Sequence, residues 1–549
     1  YNSADLRRDP AAEGYPYRSR SDVESVLPLY LAYGPDAIAR LEGMFGLAIW
    51  DARTRRLLLA RDRSGEKPLF YARVDGELAF ASEPKALLAY PAVARDLDPL
   101  AVALYAALGY VPQPFTAHRA VRKLPPGALL TADASGVTVR AYWDATAVAA
   151  GGGGAPRDPA GAVRDALRAA VSRELMADVP VGVFTSGGLD SSLLVALAAE
   201  HFPRGGIHTY TIAFGDPSFD ESGPAGLVTR HFGTVHRAVP ADPDNLRRAL
   251  DLVSERLDEP LGDPAVLPTY LLSEAAHRDV KVILSGEGAD ELFGGYPTYL
   301  GHRAASGYAS LPGWVRGALR RAAFAWPSSP GKVTIEYLLK RFVSHAALPM
   351  VDRHYEWFGT GGTAALPAVL GPAALPALER ARAELAGRGE WASAPEDPLG
   401  GILLLDFLTY LPDDLLTKVD RATMLASIEA RAPFLDREVM ELALVLPSAR
   451  KVRGLTTKAV LKEAARPLLP ASVLRRRKRG LGVPIASWIN RALRPEVDRL
   501  LAPDRLAVQG WFRPEPVAAL LAEHRSGAAN HARRLWPLVM FQRWLDRWA

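Results

Sequence analysis

The sequence predicts an α+β layer domain followed by an α/β domain with a parallel sheet and a helical C-terminal part. Three observations carry this. Short strand-like runs separated by turn residues crowd the region up to about residue 145. A glycine-rich break, "AVAAGGGGAPRDPAG" (Ala147–Gly161), follows. Beyond it, apolar strand-like runs alternate with helical stretches, and helical spacing dominates after about residue 300.

The elements follow in order. "GMFGLAIWD" (Gly43–Asp51), "RRLLLARD" (Arg55–Asp62), "KPLFYARV" (Lys67–Val74) and "GELAFASE" (Gly76–Glu83) read as strands, parted by Asp-Ala-Arg-Thr, Ser-Gly-Glu and Asp-Gly turns. Four consecutive glycines with Pro156 and Pro159 after them read as a linker. The expected division is a first domain over 1–145, a linker over 146–160 and a second domain over 161–549. In the second domain "VPVGVFTS", "IHTYTIAF" (Ile207–Phe214) and "VKVILSG" (Val280–Gly286) are the strands of a parallel sheet with crossover helices. A chain of 549 residues is too long for one core, which agrees with two domains.

Composition narrows the function. Apolar residues make up 49% and charged residues 23%, with a net charge of +5. The basic balance is spread along the chain, so no nucleic-acid footprint emerges. The one dense run, Arg475–Arg479, lies beside the flexible Gly480-Leu481-Gly482 and reads as a phosphate-closing loop in preference to a nucleic-acid patch. No stretch is apolar enough to span a bilayer and no signal peptide opens the chain, so a cytoplasmic protein is expected. Cysteine is absent, which excludes disulfides, thiolate metal sites and a cysteine nucleophile among these residues.

The chemistry concentrates in two loops. After the run Val181–Phe184 comes Ser186-Gly187-Gly188-Leu189-Asp190-Ser191-Ser192, then a helical stretch. Glycines let backbone approach phosphate oxygens, and a helix N-terminus favours anions. The loop lacks the Gly-Lys-Ser/Thr ending of a Walker loop. Asp190 would repel phosphate unless a hard cation lies between them, which argues for Mg²⁺. A plain strand-to-helix turn with a serine cap is the alternative. The second loop, "LSGEGADELFGGYPTY" (Leu284–Tyr299), places Glu287, Asp290 and Glu291 within five positions. Asp290 would share a metal with Asp190 if both strands end on one sheet edge; the alternative is a solvated acidic helix start. In "GLTTKAVLKEAA" (Gly454–Ala465), Thr456 or Thr457 is the expected helix cap. Lys458 would then lie in the first turn, where the helix dipole disfavours a cation. Most charges in Tyr410–Asp436 read as structural pairs.

These loops, their order, "LDEPLGDPAVLPTYLLS" (Leu257–Ser273) and Tyr410–Asp436 together resemble asparagine synthetase of the glutamine-hydrolysing type. The first loop resembles the pyrophosphate loop of the ATP-pyrophosphatase families. "SDVE", "LARDRSGEKPLFY" and "FASEPKALL" resemble the class II glutamine amidotransferase domain, an N-terminal nucleophile-type layer domain. The resemblance covers nearly the whole chain. It implies conversion of aspartate, ATP and glutamine to asparagine, AMP, pyrophosphate and glutamate through β-aspartyl-AMP. It implies that Ser186, Gly187, Gly188, Asp190, Ser191 and Ser192 hold pyrophosphate, with Asp190 and Asp290 as Mg²⁺ ligands. Ser285, Gly286, Ile212 and Phe184 match nucleotide-contacting positions. Glu287 matches a glutamate needed to form the intermediate, Lys458 the catalytic lysine near pyrophosphate, and Asp22 a carboxylate that binds glutamine. The implied partners are ATP, aspartate and glutamine or ammonia, without nucleic acid or membrane, and a homodimer is left open.

The family's N-terminal cysteine, an arginine and an Asn-Gly-Glu stretch have no counterpart here, and Tyr1-Asn2 resembles the end of that stretch. The expectation is a first domain with its N-terminal part missing, apolar sheet surface uncovered, no glutamine hydrolysis and use of free ammonia. Rival readings stay open. A β-lactam synthetase-like or peptide cyclase-like ligase would adenylate another carboxylate, although the β-lactam-forming enzymes carry Tyr where Glu287 stands. A non-catalytic nucleotide-binding homologue would need no Asp190, Asp290 or Lys458.

Overall fold

A computed structural model of the chain describes all residues except 152, 153, 155, 327–334, 361, 393–395, 477–479 and 549. Seven strands form the first part: β1 (Gly46–Asp51), β2 (Arg56–Arg61), β3 (Phe70–Val74), β4 (Glu77–Ala81), β5 (Val121–Lys123), β6 (Ala128–Asp133) and β7 (Gly136–Ala141). They make two antiparallel sheets, of order β1-β2-β6-β7 and β4-β3-β5. β1 to β4 fall on the four predicted runs. The Asp75-Gly76 turn joins β3 to β4 with φ of 50° and 82°, the left-handed pair that a tight hairpin requires. Trp50, on the edge strand β1, is 62% exposed.

The second part contains β8 (Val181–Phe184), β9 (His208–Ala213), β10 (Val235–Pro240), β11 (Val282–Leu284) and β12 (Glu429–Arg431). Their order is β10-β9-β8-β11-β12, and every pairing is parallel. The chain runs outward from β8 through β9 to β10, then returns to β11 on the other side of β8. That reversal makes β8/β11 the switch point of the sheet, where open parallel sheets bind ligands. Val282 pairs with Val181 and Leu284 with Val183, so the loops after β8 and β11 leave the same edge side by side. Among the described residues, helices dominate after residue 300, apart from the three-residue β12.

Three expectations change. Residues Ala145–Ala150, placed mostly in the linker, form a helix whose N-cap Asp144 accepts from Thr146 N at 2.8 Å. Pro159 opens the next helix, Pro159–Glu174, capped by Asp158. Helices therefore reach into both ends of the span 146–160. The helix Pro99–Leu108 lies within the predicted first domain, yet its residues join the same hydrophobic core as Trp536 and Phe541. Tyr105 donates its hydroxyl to Pro537 O at 2.8 Å and packs against Phe541. Finally, the helix after Gly454 starts at Ala459, and its N-cap is Lys458 in a left-handed conformation (φ 52°), not Thr456 or Thr457.

The charges of Tyr410–Asp436 pair as the sequence predicts, and several tie the two parts together. Lys67 Nζ reaches Asp420 at 3.0 Å, Arg421 reaches Glu83 at 2.7 Å, and Gln113 N donates to Asp413 at 2.9 Å. Of the basic run, Arg477–Arg479 lie outside the described residues.

Candidate active site

The loop after β8 is organised before any ligand arrives. Thr185 N donates to Tyr210 O at 2.8 Å, extending the β8–β9 pairing by one residue. Ser186 N donates to Ser191 Oγ at 3.1 Å, and Gly188 N to Ser186 Oγ at 3.2 Å. Gly187 adopts φ +65°, and a Cβ there would run into the backbone of Pro224 and Ala225. Only glycine fits. The helix Leu189–Ala198 then aims its N-terminus at the loop, with Asp190, Ser191 and Ser192 in its buried first turn.

From the loop after β11, Gly286 comes so close that a Cβ would lie 3.3 Å from Asp190 Cβ. Asp290 follows in the helix Ala289–Phe293. Lys458 enters between the two carboxylates: its Nζ lies 2.7 Å from Asp190 Oδ1 and 2.6 Å from Asp290 Oδ1. Lys458 is 3% exposed. Its positive φ is costly for a lysine, and the two carboxylates reward it. Gly295 is required beside them, because a Cβ there would overlap Asp290 Oδ1 and Lys458 Cε.

Two hard oxygen donors that already converge on one cationic nitrogen fit a shared Mg²⁺. Such an ion takes one or two carboxylates and completes its shell with water and phosphate oxygens.

Next to this triad lies a buried acidic cluster. Lys418 Nζ meets Asp263 Oδ2 at 3.0 Å. Burial alone would lower the Lys418 pKa, but Asp263, Glu287 and Asp414 outweigh it and hold the lysine above its ordinary value. Burial, reinforced by Asp263, pushes Asp414 well above the carboxylate range. Burial and the Asp290 charge likewise raise Glu291, whose carboxylate accepts the Tyr296 hydroxyl. A cavity of about 20 Å³, room for one water-sized molecule, is lined by Glu66 and Lys67 from the first part and by Ser285 and Glu287 from the second.

The family model for asparagine synthase matches residues 162–546. The chain belongs to the asparagine synthase family. A second model, for a glutamine amidotransferase domain, matches residues 1–143. A Mycobacterium bovis relative, named provisionally a glutamine-hydrolyzing asparagine synthetase, is 34% identical over 99% of this chain and 82% of its own. Glutamine-hydrolyzing asparagine synthetase 1 of Bacillus subtilis is 31% identical over 99% of this chain and 84% of its own. Amidase chyE of Penicillium rubens is 26% identical over 92% of this chain and 79% of its own. As a member of the asparagine synthase family, the chain is a carbon–nitrogen ligase that uses ATP to form an amide.

Within this asparagine synthase site the structure brings Ser186–Ser192, Ser285, Gly286, Asp290 and Lys458 to one sheet edge, with Glu287 on the side of the acidic cluster. Phe184 ends β8, half-buried, opposite Tyr210. Ile212, on β9, is buried in the hydrophobic core. Asp22 lies apart, exposed on a turn of the first part, where its carboxylate accepts from Val23 N at 2.9 Å and acts on the Tyr1 amine. Sequence reasoning missed Lys418, Asp263 and Asp414. Asp263 lies in Leu257–Ser273, and Asp414 and Lys418 in Tyr410–Asp436; both stretches carry the resemblance, but neither singles these residues out, and only tertiary packing brings Asp263 to the other two. From the run Arg475–Arg479, read as a phosphate-closing loop, Arg476 donates to Ser186 O at 2.8 Å and faces Glu221 at 3.7 Å. No helix among the described residues is long and apolar enough to cross a membrane.

Proposed function

We propose that the chain amidates aspartate to asparagine through β-aspartyl-AMP, releasing pyrophosphate, with ammonia as the attacking nitrogen. The observation that carries this reading is the convergence of Asp190 and Asp290 on one cation at the end of a phosphate-type loop. In this reading the two-domain division, near 1–145 and 161–549, separates a glutamine site that includes Asp22 from the synthetase site.

Asp190 and Asp290 would hold Mg²⁺, which offsets the negative charge of the triphosphate. The amides and hydroxyls of Ser186–Ser192 bind the β and γ phosphates, while Phe184, Ile212, Ser285 and Gly286 flank the nucleotide. An oxygen of the aspartate β-carboxylate attacks the α-phosphorus, and the bond to the pyrophosphate oxygen breaks. Lys458 neutralises the departing pyrophosphate, as a preorganised cation does for developing charge. Glu287 acts in forming the intermediate. The surplus of carboxylates around Lys418 suits the α-ammonium of an amino-acid substrate. Ammonia then attacks the β-carbonyl carbon, AMP leaves with the bonding pair, and the nitrogen sheds a proton. The water-sized cavity between Glu66 and Glu287 supports entry of ammonia from the first part.

The test is pyrophosphate release with MgATP, aspartate and ammonium, with asparagine assayed directly. Asparagine in step with pyrophosphate is expected. A folded, ATP-binding chain that yields neither product overturns the substrate assignment. The match to amidase chyE favours, as second reading, a ligase that joins another carboxylate and another amine.

A further inference from the structure

Ser186 is the hub of the loop after β8. Its N donates to Ser191 Oγ at 3.1 Å, its Oγ accepts from Gly188 N at 3.2 Å, and the two hydroxyls lie 3.3 Å apart. These contacts stay within the loop and the helix that follows it. The Ser186 carbonyl turns to a distant part of the chain instead. Arg476 Nη1 donates to it at 2.8 Å, from 290 residues further along the sequence.

That guanidinium is itself anchored. Its Nη2 lies 3.7 Å from Oε1 of Glu221, which is buried at the start of the helix Ser222–Phe232. The same helix start meets the loop a second time, where Gly187 packs directly on the backbone of Pro224 and Ala225. Asp220 Oδ1 secures this region by accepting from Phe214 N at 3.3 Å and Ser222 N at 3.2 Å. The loop is therefore gripped twice, and both grips lead to one place in the fold.

The grip has a physical purpose. Thr185 is fixed by the sheet and Ser191 by its helix. Between them Gly187 and Gly188 offer little resistance to backbone rotation. A carbonyl that swung inward would set an acceptor with nothing to donate against phosphate oxygens. A guanidinium is always charged and presents several donors in one plane, so it can serve a carbonyl and a carboxylate together. On the reading of Ser186–Ser192 as the phosphate site proposed above, we infer that Arg476, anchored by Glu221, is a positioning residue of the reaction: it fixes the Ser186 carbonyl and so holds Ser186 and Gly188 in the geometry that receives the β and γ phosphates of ATP. Arg476 acts through the loop, not on the phosphates.

Isothermal titration of the whole chain with MgATP and with AMP tests this. Arg476→Met should weaken MgATP binding about tenfold or more, the usual effect of losing a charge-assisted hydrogen bond. AMP binding should stay within about twofold, because AMP carries neither of the phosphates that the loop holds. Arg476→Lys keeps a donor for Ser186 O and should recover part of the loss. Glu221→Gln loosens the guanidinium and should weaken MgATP binding in the same way, whereas an arginine that touched the phosphates directly would bind them as well or better once released. Should Arg476→Met fail to fold, Arg476→Lys and Glu221→Gln carry the same MgATP and AMP comparison. Native-like MgATP binding in Arg476→Met overturns the inference. So do equal losses for MgATP and AMP, the mark of a merely structural role, and unchanged or tighter MgATP binding in Glu221→Gln. A folded native chain that binds AMP as tightly as MgATP would remove the phosphate-site reading itself, and the inference with it.

Discussion

Asp190 and Asp290 stand in the first turns of helices that follow adjacent parallel strands, and their Oδ1 atoms meet at one nitrogen, Lys458 Nζ, at 2.7 and 2.6 Å. The lysine thus occupies the position where a cation shared by both carboxylates is stabilised. In the proposed reading, a metal–triphosphate held by both carboxylates would draw Nζ away from at least one of them, and the same ammonium would serve first the carboxylates and then the departing phosphates.

Lys458→Ala should lower pyrophosphate release by orders of magnitude, since a well-placed cation of this kind contributes roughly 3–4 kcal/mol to a transition state. Burial adds a second effect. Without the lysine two buried carboxylates face each other, and breaking such a pair costs about 3–5 kcal/mol. The variant should melt lower than the native chain in chelator and recover part of the loss in Mg²⁺. Near-native pyrophosphate release would remove the role given to Lys458.

Asp290→Asn keeps the shape and removes the charge. Pyrophosphate formation should fall about a hundredfold or more, the scale of losing one electrostatic partner in an active site. The Mg²⁺ concentration needed for half-maximal rate should rise. An unchanged Mg²⁺ titration would show that Asp290 is not a ligand.

Gly295→Ala tests the packing behind the triad. The new methyl group would overlap the Asp290 carboxylate and Lys458 Cε, so both must shift. Displacements of about 1 Å at a reacting centre cost on the order of a hundredfold in rate. Circular dichroism should be native-like while pyrophosphate release is largely lost. Native activity in this variant would mean that the triad tolerates rearrangement.

A buried chain of side chains predicts acid sensitivity. Arg353 Nε donates to His302 Nδ1 at 3.2 Å, which leaves the His302 proton on Nε2, facing His354 Nδ1 at 3.2 Å. His354 Nε2 in turn donates to Asp406 at 2.8 Å, and Asp406 accepts the Tyr299 hydroxyl at 2.7 Å. Burial, with His354 and Arg353 nearby, holds the His302 pKa well below 6.5. In the fold the ring stays neutral, while the unfolded chain takes up the proton. Stability therefore rises with pH across the histidine range and is lost as pH falls below about 6.5. Melting temperature measured from about pH 7.5 down to 5.5 should drop more steeply for the native chain than for His302→Gln. Parallel slopes would exclude His302 as the source.

Both loops of the site were legible in the sequence because their information is local. Glycines at positions of close approach, a carboxylate in a first helical turn and an apolar run ahead of each are written in consecutive residues. β11 is short but wholly apolar and reads as a strand. β12 is equally short, but "EAR" carries two charges, and only its pairing with β11 makes it a strand. Lys458 was visible as a cation misplaced at a helix start. Its left-handed backbone was not, because local preference alone would have made Thr456 or Thr457 the cap. In the cluster, Asp414 and Lys418 are one helical turn apart, but Asp263 comes from a segment 155 residues before Lys418, and no local pattern announces that meeting.

The helix Pro99–Leu108 has a consequence for dissecting the chain. It precedes the glycine-rich break, yet its side chains interlock with the last helix, near Trp536 and Phe541. The covalent boundary and the physical boundary therefore do not coincide. A fragment begun at residue 161 would be born with a gouge through its interior, eight buried residues from Leu100 to Leu108 having gone with the other piece. Either half expressed alone should be sticky and short-lived, and the two should rescue each other when made together.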